Sequence, residues 1–594
     1  MCGINCIINF NNHKVLKKDV LSMNQKIYHR GPDNQQVFIQ NNVGFGHCRL
    51  SIIDLNKRAN QPMHSYDERY LIIYNGEVYN FKKLKKKLID KGIKFNTNCD
   101  TEVVLNSYAY WGEECVNFFD GMFAFLIWDK KKKELFGARD KFGIKPLYFY
   151  YDETKIILSS EIKAIEPLLT NKELNYDSIV EYFLFQNYLN NKTLLKKINL
   201  IEKGTYFFLK NKKIRFFKYF SHKKNFKNKD KNSNKLFNVL QKSIKDKLIS
   251  DVKVGSYLSS GLDSSLVSYF ASRELKNLNT FTCGFDIKDQ KVAKFNELFD
   301  AQEISSQLKT QHHSVVFKKE SFEDLYHENS YIIEEPRLGV SLPNLLVAKL
   351  VKGYNKVVLS GAGADELFGG YPWRYKPAFD SKNLNEFKTN YFKQNFRIDP
   401  FTIDKLFKPI LNKTSTEDII KNFHSFFNFL DIDSDKNDFF NGSLLFDLEY
   451  FLEGYCILED KISMSQSIET RLPYLGDEIY SLSSSLSSKY MINFDKSTNE
   501  FEGKLCLREL ARNKLPDKFI KKKKIGFACP YNYWLNINSP IINNLLKRDQ
   551  FLYSILDYDF VKHKITNDLK YKNDRNFIWS VLSLKGFLEN YVIN

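Results

Sequence analysis

The chain of 594 residues contains no run of about 20 consecutive apolar residues, so nothing in it reads as a membrane-spanning helix. Its opening, MCGINCIINF, lacks a basic start, a leucine-rich core and a small-residue cleavage site; no export signal is visible and the cytoplasm is the expected compartment. The nine cysteines (Cys2, Cys6, Cys48, Cys99, Cys115, Cys283, Cys456, Cys506, Cys529) stand singly without a CxxC pair, which argues against a structural zinc site or a disulfide framework. In a reducing compartment most should behave as small buried apolar groups, and Cys2 differs only by its position. Internal repeats are missing, as is the GxxxxGK[ST] loop of enzymes that transfer a γ-phosphate. Charge is abundant and one-sided, at a formal +19. The lysines cluster at 82–87, 130–133, 222–235 and 521–524, mostly beside asparagine and not interleaved with stacking aromatics. They read as solvated faces of a Lys/Asn-rich composition, with neither nucleic acid nor membrane expected as a partner.

The length exceeds what one hydrophobic core organises and predicts two domains. Residues 1–165 hold short apolar runs of strand length separated by turn signals, which predicts an α+β unit of stacked sheets. Helical spacing with a glycine stop marks 81–92 and 101–112. The pattern weakens from about 170 to 235. Beyond it, buried strands alternate with helices, as in a doubly wound parallel sheet, and after about 380 the chain turns helical with Phe and Tyr at core-like spacing. The expected division is a first domain over 1–190, a connecting segment over 191–235 and a second domain over 236–594.

If Met1 is removed, Cys2 carries both a thiol and a free α-amino group. With an amine titrating near ~8 and a thiol near ~8.5, nucleophile and base can share one residue. Asn75-Gly76, after LIIY, is a hairpin-turn signal, and a tight glycine turn also exposes an N–H. The segments HRGPD (29–33), HCRLSIIDL (47–55), NQPM (60–63), YNGEVYN (74–80), CDTE (99–102), DGMFAFLIWD (120–129), ARDKFGIKPLYF (138–149) and SSEIKAI (159–165) resemble the N-terminal-nucleophile glutaminase domain of class II amidotransferases. That resemblance implies Cys2 as nucleophile and Asn75 with the Gly76 N–H as oxyanion hole. It implies Arg49 on the glutamine α-carboxylate, Asp100 on its α-ammonium, and Glu77 in the same pocket.

In the second half, LSSGLDSS (258–265) follows an apolar strand and opens a helix, where backbone N–H groups form an anion cradle. It resembles the SGGxDS motif of enzymes that split ATP to AMP and pyrophosphate, with Ser260 in place of the first glycine. VVLSGAGADELFGGYPWRY (357–375), DKISMSQSIETRLPYL (460–475), KLCLRELA (504–511) and KKIGFACPYNYWL (523–535) resemble asparagine synthetases. The resemblance implies Leu258, Ser259, Ser260, Gly261, Asp263, Ser264, Cys283, Ser360 and Gly361 in ATP binding. Asp263 and Asp365 would hold Mg²⁺ with the nucleotide, Glu366 would be associated with that metal, and Lys524 would stabilise charge on pyrophosphate or the acyl intermediate. Glu334, Glu335 and Arg337 line the acceptor pocket or belong to a surface loop.

One departure concerns the acceptor: asparagine synthetases often carry an acidic residue between the glycines of SGxG, and this chain has Ala362. The implied reaction uses glutamine, ATP and aspartate, the alternative being another carboxylate acceptor such as a sugar acid or peptide. The sequence leaves the oligomeric state open, a homodimer included.

Overall fold

Alternation of apolar residues in the first 218 residues folds into two six-stranded antiparallel sheets packed face to face. The computed structural model describes residues 1–11, 13–223, 233–286, 296–495, 500–522, 529–571 and 575–593. The first sheet contains β1 (Cys2–Asn9), β2 (Asn34–Gln40), β3 (Val43–Arg49), β8 (Tyr148–Tyr151), β9 (Lys155–Ser159) and β10 (Ile198–Leu200), in the order β10-β8-β9-β1-β3-β2. The second contains β4 (Met63–His64), β5 (Tyr70–Val78), β6 (Gly121–Asp129), β7 (Glu134–Arg139), β11 (Thr205–Lys210) and β12 (Lys213–Lys218), in the order β12-β11-β7-β6-β5-β4. Ile4, Cys6 and Ile8 of β1 meet Leu71 and Ile73 of β5 and Ala124 and Leu126 of β6 between the sheets. The intervening Ile7 joins Val20 and Met23 of α1 (Lys17–Lys26). Ile72 and Tyr74 of β5 pack outward against α2 (Phe81–Ile89) and α3 (Asp100–Trp111). The result is a helix–sheet–sheet–helix sandwich. Residues 198–218, which the sequence assigned to a connecting segment, form β10 to β12 and complete both sheets.

The second half is built on a five-stranded parallel sheet of β13 (Val254–Tyr257), β14 (Asn279–Phe285), β15 (Gln311–Phe317), β16 (Val357–Leu359) and β17 (Glu469–Arg471). Its order, β15-β14-β13-β16-β17, reverses direction between β13 and β16. The loops leaving the carboxyl ends of those two strands therefore diverge and open a crevice, the usual ligand position in such sheets. α4 (Leu262–Glu274) starts directly after the β13 loop. α5 (Leu452–Ser465) leads back to β17. The helical region after 372 packs through rings, Phe387 lying parallel to Phe439 at 4.7 Å. Phe185 of the first half stacks on Phe423 of this region at 5.5 Å. The fold is the expected sandwich followed by a parallel α/β unit with added helices.

The expected Asn75-Gly76 hairpin is corrected. Both residues lie inside β5, opposite Ala124 and Phe123, because Glu77 and Val78 go on pairing with Met122 and Gly121.

Candidate functional site

Cys2 opens β1 directly opposite Arg49 of β3 and is buried. Burial pushes its thiol upward, against the lowering influence of the chain's amino terminus, the Leu50 backbone and Arg49. The Cys2 N–H donates to Asn75 Oδ1 at 3.0 Å, which fixes the orientation of the amide. Asn75 Nδ2 is buried without a hydrogen-bond partner among the described residues, leaving an aimed donor. On β5 the Tyr74 N–H donates to the Gln61 side chain at 2.7 Å and the Val78 N–H to Asp100 Oδ2 at 3.1 Å. Strand alternation puts the Gly76 N–H on that same edge, between them. His47 is close by, but burial drives its pKa down to about 3, so it is neutral and offers no imidazolium to the thiol.

Asp100 Oδ2 also accepts from Tyr74 Oη at 2.6 Å. Burial raises the Asp100 carboxyl and raises Glu77 far more, with Asp100 adding to the effect on Glu77. Glu77 Oε1 has no hydrogen-bond partner among the described residues, and Glu77 Oε2 accepts from Arg471 at 3.3 Å. Two carboxylates held above their ordinary range by burial, with Asp100 acting on Glu77 and Glu469 acting on both, suit a cationic ligand group, whose charge would relieve both. Arg49 is engaged by a neighbouring loop. Its Nη1 donates to Asn56 O and Asn60 Oδ1, and its Nη2 to Ile53 O and Asp54 O. Four of its five N–H groups are thus spent on the 53–60 loop, and a bidentate carboxylate would have to displace loop acceptors.

In the crevice, the loop after β13 is held by its own serines. Ser259 Oγ and Ser264 Oγ are 2.9 Å apart, and the Gly261 N–H donates to Ser259 Oγ at 3.1 Å. Gly261 caps α4 without a side-chain bond, so the helix presents its first N–H groups to the crevice. Ser260 is not among the residues with positive φ, which explains why serine replaces glycine there without strain. Its hydroxyl donates to Glu297 at 2.7 Å, and Lys522 bonds the same hydroxyl and Asp300. The loop after β16 closes on this one: a Cβ at Gly361 would lie 2.9 Å from Ser264 N. Leu258, just past β13, and Cys283 of β14 are both buried, the thiol pushed by burial up to about 12.

Asp263 and Asp365 meet across Lys504, whose Nζ lies 2.5 Å from each carboxylate. The cluster is so close that a Cβ on Gly370 would fall 2.2 Å from Lys504 Cε. Beside it, Glu366 accepts from Tyr371 Oη at 2.8 Å and is raised by burial and by Asp365 to about 7. Among the described residues no group of three or more His, Cys, Asp or Glu is placed to hold a metal; the two aspartates would rely on ligand oxygens to complete a shell. Lys504 was missed as a functional residue although it heads the matched segment KLCLRELA. Its φ of 58°, in the left-handed region, is a structural sign that no sequence pattern carries. Lys524, the lysine expected here, lies outside the described residues.

Glu334, Glu335 and Arg337 form neither an acceptor pocket nor a surface loop. Glu334 accepts from the Ile162 and Lys163 N–H groups at 3.0 and 2.7 Å and pairs with Lys461 at 2.6 Å. Glu335 accepts from the Leu194 N–H at 3.1 Å, and Arg337 donates to Asn187 at 2.9 Å. All three lie buried in the seam between the halves, bonding Ile162, Lys163, Leu194 and Asn187 of the first half, with Lys461 of α5 completing the shell of Glu334. The same seam holds Arg30 between Glu161 and Asp460, at 2.7 Å from each, and Lys145 on Asp460 at 2.9 Å. Glu469 accepts from Arg471 Nε at 2.6 Å and from the Met1 amine at 2.9 Å. Finally, the Arg471 carbonyl receives the Ser360 N–H at 2.9 Å, so β17 touches both sites.

The family model for a glutamine amidotransferase domain matches residues 1–220, and the model for asparagine synthase matches residues 235–589. Among curated relatives, the glutamine-hydrolyzing asparagine synthetase 1 of Bacillus subtilis is 30% identical over 98% of this chain and 95% of its own length. Asparagine synthetase 3 of the same organism is 27% identical over 94% of this chain and 92% of its length. Asparagine synthetase B of Escherichia coli is 31% identical over 65% of this chain and 67% of its length.

Proposed function

The chain belongs to the asparagine synthase family, and on that premise we propose that its two sites run the two halves of one amidation, with glutamine hydrolysed at Cys2 and aspartate adenylated between Asp263 and Asp365. The product is asparagine, with glutamate, AMP and pyrophosphate.

In the first half-reaction the Cys2 sulfur attacks the glutamine side-chain amide. Asn75 Nδ2 and the Gly76 N–H receive the oxyanion, ammonia leaves, and water resolves the γ-glutamyl thioester. Removal of Met1 would turn the Cys2 nitrogen into an α-amine already held by Asn75 Oδ1. Glu77 and Asp100 receive the glutamine α-ammonium, and Arg49 receives the α-carboxylate once its loop yields. In the second half-reaction the aspartate β-carboxylate attacks the α-phosphorus of ATP and pyrophosphate leaves. The loop from Ser259 to Ser264, with the N–H groups of α4, cradles the phosphates beside Ser360 and Gly361, and Lys504 stabilises the growing charge. Paired hard-oxygen donors facing each other fit Mg²⁺; Asp263 and Asp365 would hold it, and its charge would offset that of the phosphates.

The observation that carries this reading is the double attachment of β17. The Arg471 carbonyl holds Ser360 of the nucleotide loop while its guanidinium holds Glu77 of the glutamine pocket. No helix among the described residues is long and apolar enough to cross a membrane, and the cytoplasm is the compartment we propose.

The test is Cys2→Ala. It should abolish asparagine formation from glutamine while leaving synthesis from ammonium, and loss of both would refute the division of labour. Pyrophosphate release with aspartate, measured beside a panel of other carboxylates, checks the acceptor.

A further inference from the structure

The β- and γ-phosphates of ATP leave together, and the charge that gathers on them must be met by cations beside the loop from Ser259 to Ser264. Lys504 meets that loop at its Asp263 end, at 2.5 Å. A second ammonium meets it at its Ser260 end. Lys522 Nζ bonds the Ser260 hydroxyl, Glu297 Oε1 at 3.3 Å and Asp300 Oδ2 at 2.9 Å, which uses its three donors. Gly261, the cap of α4, follows Ser260 directly, so this ammonium stands one hydroxyl away from the phosphate cradle.

The Lys522 side chain is not needed to dock its own segment. Phe519 packs with Leu258 and Ile304 in a buried cluster, and Lys518 pairs with Glu303 of the helix Leu298–Leu308. Glu297 keeps its hold on the loop without the lysine, because it accepts from the Ser260 hydroxyl at 2.7 Å. The backbone around Lys522 is instead registered to that of Lys504. Arg508 donates to Gly503 O at 2.9 Å, to Lys522 O at 3.4 Å and to Ile520 O, so one guanidinium sets the spacing of the two lysines. With 24% of its side chain exposed, Lys522 is open to a ligand arriving from solvent.

We propose that Lys522 is a pyrophosphate-binding residue, whose ammonium exchanges the Asp300 carboxylate for an oxygen of the β- or γ-phosphate and joins Lys504 in receiving the leaving group. This deepens the reading above and rests on it. Asp300 competes with the phosphates for the ammonium, so the grip on pyrophosphate is limited and the product can leave. Ser260, standing where the motif has glycine, supplies the hydroxyl on which the ammonium rests between turnovers.

The test measures, by calorimetry on the full chain, the dissociation constants of magnesium pyrophosphate and of AMP, which lacks the β- and γ-phosphates. Lys522→Met should weaken pyrophosphate about 10-fold and change AMP by no more than about two-fold. Lys522→Arg keeps the charge and should recover most of the loss. Asp300→Asn removes the competitor and should tighten pyrophosphate by about three-fold, the opposite sign. Equal weakening of both ligands in Lys522→Met would make the lysine a strut of the loop and overturn the proposal. So would unchanged pyrophosphate binding in that variant, or weaker binding in Asp300→Asn, whose sign decides the matter even if Lys522→Met fails to fold. Wild-type protein that binds pyrophosphate but releases none from ATP with aspartate would instead overturn the reading of the reaction itself.

Discussion

Asn75 shows how one hydrogen bond assigns a role. Because its Oδ1 is spent on the Cys2 N–H, only the Nδ2 donor remains to face a developing oxyanion. Asn75→Ala should lower the kcat of glutamine hydrolysis by about 10²–10³-fold with a smaller change in KM, and leave ammonium-driven synthesis intact. Steady-state kinetics with each nitrogen donor check this. Lys504 belongs to the other site. Lys504→Met leaves Asp263 and Asp365 facing each other without the ammonium between them, so pyrophosphate release should fall by at least about 100-fold while glutamine hydrolysis persists. Cys2, Asn75, Asp263 and Asp365 stand out in the sequence because each sits in a contiguous motif, and the fold brings Cys2 to Asn75 and Asp263 to Asp365. Lys504 does not, since its role depends on a left-handed backbone and on carboxylates 241 and 139 residues earlier in the chain.

Among elements, β17 was hard to read from sequence, yet it bonds both sites. Three residues are too few to show a strand period, and its Glu469 and Arg471 would pass for surface charges, yet both are buried. Partners distant in sequence likewise explain the Asn75-Gly76 turn that the structure replaces with unbroken strand, and the Glu334–Arg337 stretch, most of whose partners come from the other half. Local chemistry was read correctly there, but tertiary pairing decided the outcome. Arg471→Met would strip Glu77 and Glu469 of their shared cation. Leaving the buried Glu77 without a cation, and Glu469 with the Met1 amine alone, costs on the order of 3–5 kcal/mol, and Glu77 should lose its alignment. The measurable result is a lower unfolding midpoint together with a raised glutamine KM; a variant with both unchanged would remove β17 from the glutamine pocket.

For the whole molecule, the two-part architecture followed from the change of period along the chain, whereas the seam that joins the parts did not. That seam predicts acid behaviour. Burial alone would raise Glu161, Asp460 and Glu453, but Lys163 and His29 on the first, Arg30 and Lys145 on the second, and Lys203 and Arg139 on the third outweigh it and hold all three below their ordinary values. The unfolded chain therefore binds protons that the folded chain refuses. The stabilisation is fully present above about pH 4.5 and is lost as pH falls below the ordinary carboxylate range. Thermal scans from pH 7 to 3 should show both halves losing stability together, and two separate transitions persisting to pH 3 would contradict a shared seam. The buried pairing also limits how this architecture can be recombined. A half transplanted onto a foreign partner would bring Arg30, Arg139 and Lys145 to a surface with no matching acids, so exchange between relatives succeeds only when Arg30 and the 139–163 stretch travel with α5 and β17. Inheritance of the two catalysts is in that sense indivisible, although the chain between them could be cut.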